Sequence, residues 1–223
     1  CLFMPGTLER NDRITQMTSK LDLTADNTAL LVIDVQNDFC PGGQLAVQDG
    51  DQVVAPINLM ITSAAHIVAT QDWHPDGHAS FATSHEGKNP LELIKMPYGD
   101  QVLWPDHCIQ GSKGAEFHPD LNIEQANAII RKGSNPFIDS YSAFFENDRK
   151  TPTGLDGYLK SLEIEKINLV GLATDFCVNY SAQDAANLGY KVSVLEKMCR
   201  AIDLKGSLAA AKSEMQNCGV EFI

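Results

Sequence analysis

Short apolar runs with no polar face are the feature that most narrows what this chain can fold into. Residues 29–33, 67–70, 128–131, 167–172 and 192–195 are mostly apolar and rich in β-branched side chains. A strand with one wet face alternates polar and apolar residues, so an unbroken apolar run describes a strand covered on both sides. Between these runs lie longer stretches with helical spacing, at residues 52–65, 154–162, 178–188 and 204–217. Gly189 and Gly219 each follow one of them, where a helix end favours a residue without Cβ, and residues 220–223 read as a short last strand. Buried strands joined by helical crossovers predict a three-layer α/β/α fold with a mostly parallel central sheet.

The length of 223 residues suits one hydrophobic core, so residues 23–223 are expected to form a single domain and residues 1–22, which lack either period, a surface leader. The start at Cys1 reads as a trimmed terminus or an upstream extension of a start at Met17. Hydrophobic and charged fractions of 43% and 21% are ordinary for a globular protein. A net charge of -12 argues against nucleic acid, because binding a phosphate backbone needs a basic face. No apolar run approaches the ~20 residues that span a bilayer. Six cysteines without a C-x-x-C pair or close spacing read as free thiols, which places the chain in the cytoplasm. A small molecule is the expected partner, and a homo-oligomer is left open.

Reactive groups fall at the carboxyl ends of the expected strands: Asp34, Asp72 with His74, Lys132, and Cys177 just past the turn at residues 173–176. Ligands of open parallel sheets bind outside those ends, so topology gathers residues that are distant in sequence. Cys177 would open a helix, where the positive end of the dipole lowers a thiol pKa and free N–H groups can hold an oxyanion. Cys40, Cys108, Cys199 and Cys218 lack such a placement and are expected to be inert. Asp34 ends an apolar strand, so it reads either as a base with a pKa raised by desolvation or as a turn cap. Lys132 also ends an apolar strand and reads either as a solvated basic residue leaving the sheet or as a cation beside both groups. Asp72 and His74, two apart on an extended segment, can grip one ion. His107 is the favoured third ligand, against His78, His85 and Glu86, while His66 and His118 are set aside. Residues 72–145 contain one clear strand among many Pro, Gly, His and aromatic residues, and loops that long usually carry function.

Five motifs in order, Asp34-Val35-Gln36-Asn37-Asp38-Phe39, Gln71-Asp72-Trp73-His74, Trp104-Pro105-Asp106-His107-Cys108, Lys132-Gly133 and Gly171 to Val178, carry a resemblance. From residue 29 to the last residue the chain resembles the nicotinamidase/pyrazinamidase branch of the isochorismatase-like cysteine hydrolases. The resemblance implies a catalytic triad of Asp34, Lys132 and Cys177, and a divalent ion on Asp72, His74 and His107, zinc first with iron or manganese as alternatives. It further implies a pyridine ring flanked by Phe39 and Trp104 with Tyr141 nearby. A cis peptide before Ala173 would aim that residue's N–H, with that of Cys177, at the oxyanion. The implied reaction is hydrolysis of nicotinamide to nicotinate and ammonia through a cysteine thioester; the runner-up is another amidase of the same superfamily, with or without a metal.

Overall fold

The computed structural model describes residues 21–223, so most of the expected leader lies outside the described residues. Six strands form one sheet in the order β5-β2-β1-β6-β7-β8, and every neighbouring pair is parallel. They are β1 (Thr28–Ile33), β2 (His66–Asp72), β5 (Ala128–Lys132), β6 (Lys166–Leu172), β7 (Lys191–Arg200) and β8 (Glu221–Phe222). Side chains alternate between two separate cores, as the pleat requires. Leu30 and Val32 of β1 pack with helix α1 (Val54–Ile61), through Val54, Ile57, Met60 and Ile61. Ala29, Leu31 and Ile33 face the opposite way, onto α2 (Leu155–Ser161), α3 (Asn179–Asn187) and α4 (Ser207–Asn217). That is the three-layer arrangement expected from runs with no wet face. Each such Leu or Ile contributes about 1.5–3 kcal/mol by leaving water.

Chain order decides where a ligand can sit. The chain runs outward from β1 through β2 to β5, then returns to lay β6 against the other side of β1. The crossovers diverge there, which opens a crevice at the carboxyl ends of β1 and β6. Among the described residues, no helix is long and apolar enough to cross a membrane.

Several boundaries differ from the sequence reading. The expected helix at residues 52–65 is a 3-10 turn, Gly50–Val53, running into the eight-residue α1. The last helix begins at Ser207, because Gly206 in the left-handed region (φ 88°) separates it from the turn Leu204–Gly206. β7 continues to Arg200, past a register shift opposite Leu169 and Gly171, so it is longer than its apolar stretch. Leu23 is buried and its carbonyl accepts the Ala65 N–H. The long connection holds a hairpin that hydropathy did not reveal, β3 (Leu93–Met96) with β4 (Gly99–Val102). Leu93 is 62% exposed, and a pair with so little buried surface leaves a weak hydrophobic pattern.

Candidate active site

The crevice between β1 and β6 gathers Asp34, Lys132 and Cys177. The chain leaves β1 at Asp34 in the left-handed region (φ 45°), a conformation that Asp tolerates better than branched residues. The turn aims the carboxylate across β2, where Oδ1 accepts the Thr70 hydroxyl at 2.6 Å. Its other oxygen, Oδ2, lies 2.8 Å from Lys132 Nζ, an ion pair by distance but without aligned hydrogen-bond geometry. Lys132, the last residue of β5, also donates to Asp72 Oδ1 (3.0 Å), the Ser140 carbonyl (2.9 Å) and Cys177 Sγ (3.4 Å). The Lys132 and Asp34 side chains are wholly shielded from solvent.

Burial sets the electrostatics. It raises the Asp34 pKa above the ordinary carboxylate value, more than Lys132 pulls it back down. Burial would lower the Lys132 pKa, but the Asp34 and Asp72 carboxylates outweigh it and the ammonium is held well above its ordinary value. Burial also drives the Cys177 thiol well up, despite Lys132. This corrects the expectation of a thiol acidified by a helix end. Cys177 lies inside a π-helical turn, Thr174–Val178, ahead of α3, and the loss of solvent dominates there. Asp34 is a buried carboxylate next to that thiol.

Beside the triad, two imidazoles face one carboxylate oxygen. His74 Nε2 is 3.2 Å and His107 Nε2 3.5 Å from Asp72 Oδ2. A backbone carbonyl holds the other nitrogen of each ring: Gly133 accepts from His74 Nδ1 at 3.0 Å, and Pro105 from His107 Nδ1 at 2.8 Å. Neutral rings held this way present Nε2 lone pairs toward Asp72, and buried His74 Nε2 has no hydrogen-bond partner. Lone pairs so close together repel unless a cation lies among them. Burial lowers the His74 pKa, but the Asp72 carboxylate outweighs it, so the site attracts positive charge. Asp72, His74 and His107 thus fit a divalent ion, with a nitrogen and oxygen donor set and carbonyls orienting the rings. Gly133 makes the cradle: at φ 67° it adopts a backbone that other residues avoid, and a Cβ there would lie 2.4 Å from His74 Cε1.

The other candidate ligands are spoken for or distant. His78 has both ring nitrogens engaged, by Ser80 and the Asn135 carbonyl, although it belongs to a second compact grouping with His74 and Asp139. His85 Nε2 pairs with the Ala79 carbonyl, and Glu86 is exposed. His66 starts β2 at the far end of the sheet, and His118 accepts the Asp120 N–H. Cys40, Cys108 and Cys199 are buried free thiols with pKa values raised by burial, about 11 for Cys40 and about 12 for Cys199, which fits inert packing. Cys218 is a free thiol at partial exposure.

A narrow cleft leads to Cys177, lined by Phe39, Trp104, His107, Asp139, Tyr141 and Phe176 among others. The expected aromatics line it, with a fourth: Phe176 meets Trp104 edge-on at 4.9 Å between centroids. The Tyr141 hydroxyl accepts from Trp104 Nε1 (3.0 Å) and Gln101 Nε2 (2.9 Å), which fixes both rings. A larger open hollow lies at the amino ends of the strands, against Thr28, Lys166 and Lys191. It is remote from every reactive group above, so size does not locate the site. Three contributors escaped the sequence reading. Buried Asp139, whose Oδ1 is 4.0 Å from His74 Nε2, had no periodic context to mark it. Gln36 pairs its side-chain amide with both the N–H and the C=O of Asp72, at 2.8 Å each, and Thr70 anchors Asp34; the position of Gln36 in the first motif was the only signal.

A buried Asp, Lys and Cys at the switch point of a parallel α/β sheet, beside a donor set for a divalent ion, mark a cysteine hydrolase, and the chain belongs to the isochorismatase domain family, which matches residues 28–223. The Leu172–Ala173 peptide bond is cis. Within the family its likeness is to nicotinamidases. A nicotinamidase of Acinetobacter baylyi is 53% identical over 199 residues, covering 89% of this chain and 93% of its own. The solved nicotinamidase/pyrazinamidase of Acinetobacter baumanii is 55% identical, with a TM-score of 0.88 over 89% of this chain and 96% of its own. A pyrazinamidase of Pyrococcus horikoshii, solved in complex with zinc, is 33% identical with a TM-score of 0.71, covering 88% of this chain and 98% of its own.

Proposed function

We propose that this chain hydrolyses nicotinamide to nicotinate and ammonia, with Cys177 as nucleophile, Asp34 as proton carrier and Lys132 as the fixed cation. The observation that carries the reading is one ammonium, Lys132, placed 2.8 Å from the Asp34 carboxylate and 3.4 Å from Cys177 Sγ at the foot of an aromatic cleft. Asp34 takes the thiol proton as Sγ attacks the carboxamide carbon, and the carbonyl electron pair moves onto oxygen. The N–H groups of Ala173 and Cys177 receive that oxyanion. Its collapse re-forms the carbonyl and breaks the C–N bond, while Asp34 passes its proton to the departing nitrogen. Water then attacks the thioester as Asp34 takes a proton from it, and the C–S bond breaks as Asp34 passes that proton to the departing sulfur, which restores the thiol and the carboxylate and releases the acid, ionised as nicotinate. Lys132 lowers the energy of each anion without changing its own protonation.

Phe39 and Trp104 would hold the pyridine ring, with Tyr141 and Phe176 closing the wall. Asp72, His74 and His107 would hold zinc, which when bound offers positive charge and a coordination position to the ring nitrogen or to water. Pyrazinamide, which keeps a ring nitrogen and the carboxamide, is proposed as a second substrate. The test is ammonia release from nicotinamide by zinc-loaded protein beside Cys177→Ala. Turnover in the first and none in the second is expected, and substantial hydrolysis by Cys177→Ala would remove the covalent mechanism.

A further inference from the structure

Asp38 belongs to the first motif but takes no part in the reaction, yet it is 7% exposed and its carboxylate is aimed inward. Oδ2 accepts the backbone N–H of Cys108 at 2.7 Å, and Oδ1 accepts that of Gln44 at 3.1 Å. Its own N–H donates to the Gly114 carbonyl at 3.0 Å, and its carbonyl accepts from Leu45 at 3.0 Å. One residue therefore joins three loops. They carry Phe39 and Leu45, His107, and the 113–116 turn, and the first three of these residues line the cleft. Cys108 sits at φ 47°, in the left-handed region, immediately after His107, so its N–H direction fixes the path by which His107 enters the site. The Phe39 and His107 rings meet edge-on at 5.5 Å.

Gly114 makes the clamp specific. A Cβ there would lie 2.1 Å from Asp38 Oδ2 and 2.4 Å from Cγ, and the backbone of Gly114 is outside the glycine-only region. Glycine is required there by the carboxylate and not by backbone conformation.

We propose that Asp38 is a positioning residue: its carboxylate, seated against Gly114, holds His107 in register with Asp72 and His74 and sets Phe39 against the substrate ring. It touches neither substrate nor ion. It acts by fixing the loop of a ligand, a support whose removal typically costs about 10- to 100-fold in metal affinity or activity. The activity readout rests on the nicotinamidase reading; the metal readout does not.

The experiment titrates Co²⁺ into the chelated full-length protein, following its visible absorption, for wild type, Asp38→Asn, Gly114→Ala and Asp175→Asn. Asp175 is a control clamp of similar construction, with Ile202 and Asp203 N–H groups at 3.0 and 2.8 Å, on the Thr174–Val178 turn and not on a loop that carries Asp72, His74 or His107. Asp38→Asn and Gly114→Ala should each weaken Co²⁺ about 10-fold or more, with KM for nicotinamide rising alongside, and Asp175→Asn should leave the Co²⁺ Kd unchanged. In an Asp38→Ala background the space is vacated, so adding Gly114→Ala should weaken Co²⁺ less than about twofold further. Equal losses in Asp38→Asn and Asp175→Asn would reduce the clamp to general stability and overturn the proposal. So would a Gly114→Ala protein that binds Co²⁺ like wild type. If Asp38→Asn does not fold, Gly114→Ala decides alone. Normal Co²⁺ titration with no nicotinamide turnover in wild type would overturn the reaction and leave the clamp standing.

Discussion

Replacing Lys132 with Met keeps most of the side-chain volume and deletes the ammonium that lies between Asp34 and Asp72. At an effective dielectric of about 20, contacts at 2.8 and 3.0 Å are each worth about 6 kcal/mol before desolvation is subtracted. Taking the ammonium out of water costs several kcal/mol, so the pair is not worth its Coulomb energy. The replacement is costly for another reason: it strands the buried Asp34 carboxylate and takes one partner from Asp72, and removing one partner of a buried pair costs about 3–5 kcal/mol. Lys132→Met should therefore lose about that much in urea unfolding at fixed metal content and unchanged m-value. In an Asp34→Asn background one stranded carboxylate is gone, so the same change should cost about 2 kcal/mol less. Turnover should fall at least about 100-fold, the usual cost of removing a preorganised electrostatic group. A stability loss below about 1 kcal/mol, the scale of a surface ion pair, would refute the reasoning, as would strict additivity in the double variant.

The acid limb of kcat/KM should lie above the ordinary carboxylate value of 3.8, because burial raises Asp34 and the ionised form is the base. Activity rises as pH climbs through that limb, which titrates the coupled triad as a unit and should move further up in Lys132→Met, since Lys132 lowers the Asp34 pKa. Gly133→Ala places a Cβ 2.4 Å from His74 Cε1 at φ 67°, so metal content on dialysis should drop and stability fall by about 1–3 kcal/mol. An Ala variant that keeps its metal would mean that the cradle yields easily. Holo protein should prefer nicotinamide to benzamide by up to ~10⁴-fold, and chelated protein or His74→Ala should lose most of that preference, because a site built to bond one heteroatom rejects the analogue lacking it. Specificity constants for both amides, measured with and without metal, decide the matter: equal preference in each would assign ring recognition to side chains.

Sequence periodicity by itself determined the layers. Residues 29–33 are apolar on both faces, as a strand covered on both sides requires, and the structure puts Leu30 and Val32 in one core and Leu31 and Ile33 in the other. It also determined that Asp34, Asp72, Lys132 and Cys177 share one edge, because strand direction and chain order carry that information locally. What it could not determine is whatever depends on contacts between loops. The β3–β4 hairpin, Asp139, and the pairing of Gln36 with the Asp72 backbone have no period to betray them. The protonation of Cys177 was decided in three dimensions as well. A helix end argues for an acidic thiol, but burial acts on the whole charge while a helix dipole supplies only part of one, so desolvation prevails and the Cys177 pKa is raised.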